Sequence, residues 1–446
     1  VACAILAAAV ALTACGSSSS SSGGGTTTEE EAPEEGGGGG EETTEESGEG
    51  PSAEAVKYGL GITGGKPEAA DSSLPPVKIG FVSQEGAIPS YAEVRKVQEA
   101  SVEFVNEKLG GIEGHPLEYT YCVVQGEADG QKCAAQFLNE GFEIIQYGEM
   151  VEGETSFFKT IDGKVPVLID WSTATASLTA KNAYNYEAGG PSVLAGMAYG
   201  VARNGYKSVS MVSSSNPTGK FAAEEILGPA IEAGGATLKT VFIADSASQP
   251  EFTSAVQASG AATSEAVMQL PPSGATCSYV IQGMKQLGIE KPLINTYYCY
   301  APDVLEATGG GPENVEVWNT EQNPHVGSPE QEAYVNVMAA YGQEEAAFEG
   351  NSSGGWRDVL MLTKFGNELG FNNLNKASWS KIISSYKGSV PMVPGKMECG
   401  KNPAFSTPCG TTAVGSEYVN GEWVNVAEFN ILTNEGKEVK AGEAIE

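Results

Sequence analysis

Histidine is almost missing from these 446 residues, which contain only His115 and His325. A Ser-His-Asp triad or a histidine-based zinc site therefore has little to be built from. Neither G-x-S-x-G, H-E-x-x-H nor a P-loop occurs, and Gly354-Gly355-Trp356-Arg357-Asp358 makes no nucleophile elbow. No enzymatic role is expected. His115 lies in a Gly-His-Pro turn and His325 in an Asn-Pro-His loop, and both are expected to be exposed. Basic residues are scarce as well: 25 Lys and Arg stand against 57 Asp and Glu, a net charge of −32. That balance argues against nucleic acid, whose phosphates need clustered cations, and against charge-driven adhesion to an anionic membrane. The eight cysteines never form C-x-x-C, so neither a metal site nor a cofactor is expected. The apolar run Ala4 to Leu12 has signal-peptide length and is too short to span a bilayer.

That run ends in Leu12-Thr13-Ala14-Cys15, with small residues before the cysteine. The tetrapeptide resembles the lipobox of bacterial lipoproteins. The resemblance implies a signal peptide over 1–14, cleavage before Cys15 and lipidation of its sulfur, tethering the chain outside the cytoplasm. Two acyl chains suffice for stable anchoring where one is marginal. Residues 15–76 are then expected to be a disordered acidic linker. Ser17 to Ser22 are all serine, and ten glutamates lie between Glu29 and Glu49. Such composition buries too little apolar surface to offset its ordering entropy. As a flexible coil it would reach roughly 40–50 Å. Gly59-Leu60-Gly61-Ile62-Thr63-Gly64 is formally a dinucleotide-binding pattern. No strand precedes it and no amphipathic helix is expected after it, so the pattern is set aside.

From Val77 onward strands and helices alternate. Val77 to Val82, Leu117 to Val124, Phe142 to Tyr147 and Val165 to Ile169 read as strands. Helical spacing intervenes, as in Val94, Val97, Phe104, Val105 and Leu109, closed by Gly110-Gly111. After a helix starting at Pro191 the cycle restarts with strands over 208–213, 238–243, 265–270 and 293–298. The pattern predicts an α/β fold with two similar lobes, each a doubly wound parallel sheet. Ligands of such sheets sit beyond the carboxyl ends of the strands. Apart from Cys3 and Cys15, the cysteines fall into close pairs: Cys122/Cys133, Cys277/Cys299 and Cys399/Cys409. Nearest-neighbour disulfides are the simplest of the possible connectivities.

Val77-Lys78-Ile79-Gly80 before a Ser/Gly loop, the run Val105 to Leu117, Val165-Pro166-Val167-Leu168 leading to Ser172 to Thr179, and Gln286-Leu287-Gly288-Ile289 are similar in order and spacing to type I periplasmic binding proteins. The branched-chain amino-acid branch is the most similar. The resemblance implies three hinge crossings, lobe 1 over 77–190 plus 317–395 and lobe 2 over 191–316 plus 396–446. It also implies a monomer that binds a small solute in the interlobe cleft and delivers it to the permease of an ABC importer. A ligand-sensing receptor with a separate signalling partner, or a surface lipoprotein without a transport role, are the alternatives.

By the same resemblance Ser172 and Thr173 are candidates to grip a carboxylate, unless they cap the next helix. Trp171 and Thr175 flank them. Ser83 and Glu85 lie on the loop after the first strand. Glu152, Gly153 and Thr155 stand near a run of serines in the amino-acid binders, and an ionised Glu152 would repel a carboxylate and attract a cation. Across the cleft, Ser273, Tyr297 and Tyr298 stand where the family's aromatic and acidic groups are found, and Thr218 is a further candidate. Trp171 and the tyrosines serve equally well as lobe packing, Glu152 as an exposed acid at a helix start, and Thr218 as an exposed turn residue.

Overall fold

The computed structural model describes residues 50–440 and 445, except 88, 271–273 and 310–313. Cys15, Ser273 and most of the acidic N-terminal stretch thus lie outside the described residues.

The first lobe is built on a parallel sheet of β1 (Val77–Gln84), β2 (Leu117–Val124), β3 (Ile145–Tyr147), β4 (Val167–Ile169) and β5 (Ala183–Asn185), in the order β2-β1-β3-β4-β5. β1 is buried at every position but Lys78, as expected of a strand covered on both faces. The helix Ala92–Lys108 turns Val94, Val97, Phe104 and Val105 into that lobe's core. The second lobe carries β6 (Ser208–Ser214), β7 (Thr237–Ile243), β8 (Ala266–Leu270), β9 (Leu293–Thr296) and β10 (Val315–Asn319), all parallel. The chain then returns to the first lobe for three further helices and a hairpin, β11 (Lys387–Val390) with β12 (Val393–Glu398). Finally β13 (Thr412–Val419), β14 (Glu422–Asn430) and β15 (Glu435–Glu438) extend the second sheet beside β10.

Those last strands are antiparallel, so the second sheet is mixed rather than parallel throughout. β14 alternates between buried and less buried residues along its length, the mark of a strand with one face on the core. It follows β13 through Asn420-Gly421, both at positive φ, the pair favoured in a two-residue hairpin turn.

A second departure concerns the expected linker. Residues Ala53–Thr63 form a helix, capped by Ser52, whose hydroxyl accepts from the Ala55 amide at 3.1 Å. It docks on the first lobe through Ala55, Gly59 and Thr63. Gly59 is a packing residue, since a Cβ there would sit 2.8 Å from the Phe104 ring. Gly64 closes the helix in the left-handed conformation at φ 65°. The glycines that imitate a nucleotide motif are therefore a contact point and a cap. Residues 65–76 continue as irregular chain pinned to the same lobe, with the Lys66 and Ala70 amides donating to the carbonyls of Leu109 and Asn106.

Three crossings join the lobes, near 185–190, 319–323 and 407–411. The expected boundaries at 316/317 and 395/396 fall inside β10 and β12, so the second and third crossings come slightly later. The crossings lie side by side. The Asn185 amide donates to the Thr407 carbonyl, the Cys409 amide to the Asn185 carbonyl and the Gly410 amide to the Glu187 carbonyl, at 2.9, 2.7 and 3.1 Å. Disulfides join Cys122 to Cys133, Cys277 to Cys299 and Cys399 to Cys409. Among the described residues no helix is long and apolar enough to cross a membrane.

Candidate ligand-binding cleft

In the first sheet β1 has β2 on one side and β3 on the other, so the loops leaving β1 and β3 diverge. β6 has the same position between β7 and β8 in the second sheet. Each reversal of winding opens a crevice beyond the strand ends. The two crevices face each other across a cavity of ≈ 640 Å³, within the range that holds small organic ligands. Its first-lobe wall comes from Ala87, Pro89, Ser90, Tyr91 and Glu93 beyond β1, from Glu149 and Val151 after β3, and from Trp171 and Thr173 after β4. Opposite stand Ser214 to Ala222 after β6, Asp245 and Ser246 after β7, Thr276 and Tyr279 after β8, and Thr296 and Tyr298 after β9.

Trp171, Thr173, Thr218 and Tyr298 thus line the cavity, while the other described candidates lie elsewhere. The Ser83 hydroxyl donates to Glu85 at 2.5 Å, and Glu85 pairs with Arg95 at 2.8 Å, which turns both acid and serine onto the helix Ala92–Lys108. Glu152 and Thr155 are exposed, and Gly153 is buried at the entry to the helix Glu154–Ile161. Ser172 is fully buried against the first crossing, where its hydroxyl accepts from Asn185 at 2.8 Å. Thr175 is exposed at the start of a short helix. Tyr297 is a core residue whose hydroxyl donates to the Phe348 carbonyl at 3.4 Å. β9 ends at Thr296, and the turn Tyr297–Tyr300 sends Tyr297 inward and Tyr298 to the cleft. His325 also departs from expectation. It stacks on Phe348 at 4.4 Å, and burial holds its pKa down at about 4.

The acid that reaches the cleft after β3 is Glu149, 8% exposed. Gln84, buried at the end of β1, sets this loop: its side-chain carbonyl accepts from the amides of Val151 and Glu152 at 2.9 and 2.7 Å. Its amide nitrogen donates to the Pro89 carbonyl at 2.7 Å, tying together the loops that follow β1 and β3. Asn351 donates to Glu149 at 3.4 Å. Burial, then the nearby Glu93, pushes the Glu149 carboxyl well above the usual range. From the other lobe, Asp245 accepts from Ser214 and, at 3.0 Å, from Asn216, which itself caps the helix Pro217–Phe221.

Behind the cleft, at the crossings, lies a buried charge cluster. Arg357, wholly buried, donates to Glu321 at 2.6 Å, Asp170 at 2.8 Å and Asp358 at 3.0 Å. Glu187 joins through Thr320, whose hydroxyl it accepts. Burial raises all four acids: Glu187 to about 8, with Glu321 adding to the rise, Asp358 to about 6, and Asp170 and Glu321 upward against the pull of Arg357. Gly354 makes the cluster possible, because a Cβ there would fall on the Asp170 carboxylate. Nothing in the local sequence distinguishes Arg357 as a hinge residue. The adjoining Gly354-Gly355 pair is the visible trace of the close packing.

Two lobes, three crossings and a ligand-sized cavity at the facing strand ends define a cleft-binding protein of the two-lobed type. The chain belongs to the periplasmic binding protein family, whose model matches residues 76–395. This is an extracytoplasmic, non-catalytic solute-binding family. Among solved structures, the fold is similar to an ABC-transporter solute-binding protein from R. palustris in complex with 4-hydroxybenzoate. The TM-score is 0.65 at 15% identity, covering 83% of this chain and 98% of that one. It is similar also to a leucine-binding protein from Thermotoga maritima, with a TM-score of 0.64, 16% identity and coverage of 79% and 99%. A fatty-acid ABC-transporter substrate-binding protein from Thermomonospora curvata aligns with a TM-score of 0.65, 14% identity and coverage of 81% and 94%. No curated protein matches the chain in sequence.

Proposed function

We propose that this chain is a lipid-anchored solute-binding protein that captures a small organic solute, an amino acid or a related compound, and delivers it to the permease of an ABC importer. The observation that carries this is the cavity of ≈ 640 Å³, walled by polar and aromatic side chains from the strand ends of both lobes. Such a pocket is completed only when the lobes close, so closure selects the loaded form and offers the permease a composite surface. Trp171, Thr173, Thr218 and Tyr298 are the members of the expected ligand set that stand on its walls. Cys15 is the proposed anchor, and the protein acts as a monomer.

The test is thermal denaturation of the chain from Gly16 onward against a panel of amino acids, aromatic acids, amides and amines. A ligand that binds the folded state stabilises it by roughly 2.7 kcal/mol at a hundredfold excess over Kd. A raised Tm with at least one solute is expected, and a folded, ligand-free sample that responds to none would refute solute capture. The anchor is tested by incorporation of labelled fatty acid, which Cys15→Ala abolishes.

A further inference from the structure

The walls of the cleft carry Glu93, Glu149, Asp245 and Glu349, and no Lys, Arg or His stands among the described residues that line it. Of these acids Glu149 is the most informative. It is more than nine-tenths buried, and its Oε2 meets only the Asn351 amide, at 3.4 Å. Asn351 is the hydrogen-bond donor acting on this carboxyl, and burial outweighs it. A carboxyl so enclosed, facing a cavity, is costly to ionise unless a cation comes to it. The same wall repels a benzoate or fatty-acid carboxylate. Tyr91 on the first lobe and Tyr298 on the second each feel both Glu149 and Asp245, so groups from both sides converge on one region. Trp171, Phe221 and Tyr279 add aromatic faces, which attract cations and pack against apolar bodies.

We propose that the solute is an organic cation, an amine or ammonium on an aromatic or apolar body, with its charged nitrogen seated between Glu149 and Asp245. This rests on the solute-binding role proposed above and specifies its ligand. Binding is coupled to a proton. In the empty cleft Glu149 holds its proton, because burial and Glu93, with Glu187 and Glu321 behind it, all disfavour the anion and only Asn351 favours it. An arriving ammonium stabilises the carboxylate, so Glu149 gives up its proton to solvent as the ion pair forms. Affinity for the cation therefore rises with pH, up to about tenfold per unit below the carboxyl's empty-cleft pKa.

The experiment is titration calorimetry of the chain from Gly16 onward with a matched series: benzylamine, phenyltrimethylammonium, benzyl alcohol, benzoate and leucine, with spermidine as a longer cation. Measurements at pH 6, 7 and 8 in buffers of different ionisation heat count released protons. Binding by one or more cations, with proton release that Glu149→Gln abolishes and a Kd raised tenfold or more, supports the proposal. Asp245→Asn weakens the same ligands and keeps the test independent of any one variant's folding, while Glu152→Gln, outside the cleft, leaves Kd unchanged. Binding of benzoate or leucine in preference to the cations overturns the cation assignment and leaves solute capture standing. A folded chain that binds none of the series nor any of the wider panel overturns both.

Discussion

Arg357 is the single cation among four buried acids, and its removal would leave Asp170, Glu321 and Asp358 without the charge they now share. Breaking a buried pair by deleting one partner costs roughly 3–5 kcal/mol, because the survivor stays buried and unpaired. Arg357→Met is expected to lose about that much in urea denaturation at pH 8. It should lose less at pH 5, where the abandoned carboxyls are protonated. The residues that matter here were only partly readable from the chain. The loops after the strands do line the cavity at the facing strand ends, yet Glu149, only three positions before Glu152, carries no mark of its own in the sequence. Which of the two faces the cleft depends on Gln84, whose side chain fixes the loop after β3 from a strand more than sixty positions away. Similarly Ser83 and Glu85 were placed near the cleft by strand position, and the Arg95 partner that turns them aside acts through a neighbouring helix.

Glycine gives the helices their closeness. In the helix Ser353–Leu369, Gly355 lies against Ala92–Lys108 so tightly that a Cβ would stand 2.6 Å from the Val94 carbonyl oxygen. Gly355→Ala is therefore expected to destabilise by roughly 1–3 kcal/mol through overpacking, measured by chemical denaturation. The helix Ala53–Thr63 packs by the same means through Gly59, so a chain shortened to begin at Leu74 should melt below one that begins at Gly50. Each kcal/mol lost lowers Tm by roughly 2–4 °C in a domain of 150–250 residues, and somewhat less in a chain of this size. Elements with strong periodicity were legible: β1, β2 and the helix after β1 lie close to where their apolar spacing puts them. The helix at 53–63 was hidden because three glycines within six positions resemble a loop, and the docking surface that Phe104 and Leu109 offer to Gly59 leaves no trace in the local sequence. The antiparallel strands were hidden differently. Their signal is the Asn420-Gly421 turn in a segment with weak apolar runs.

Taken across the molecule, the buried carboxyls make stability depend on pH in the direction opposite to that of salt-bridged surface acids. Glu187, Glu154 and Asp358 have pKa values raised to about 8, 7 and 6, in each case chiefly by burial. In the unfolded chain they ionise near the ordinary values of about 4. Between those limits the unfolded state binds fewer protons, so stability is greatest at the acid end and declines as pH rises toward 8. Tm should accordingly fall from pH 5 to pH 8, and Glu187→Gln should flatten the upper part of that decline. Glu187 sits in the first crossing, so the proton it retains on folding is held at the joint between the lobes. The helix Ala53–Thr63 rides on one lobe and β15 on the other, which turns the molecule into a ready optical gauge. A donor dye at Lys57 and an acceptor at Lys437, both exposed, are carried on different lobes. Their energy transfer would register any change in the separation of the lobes as solute is added, with neither lysine among the residues that line the cleft.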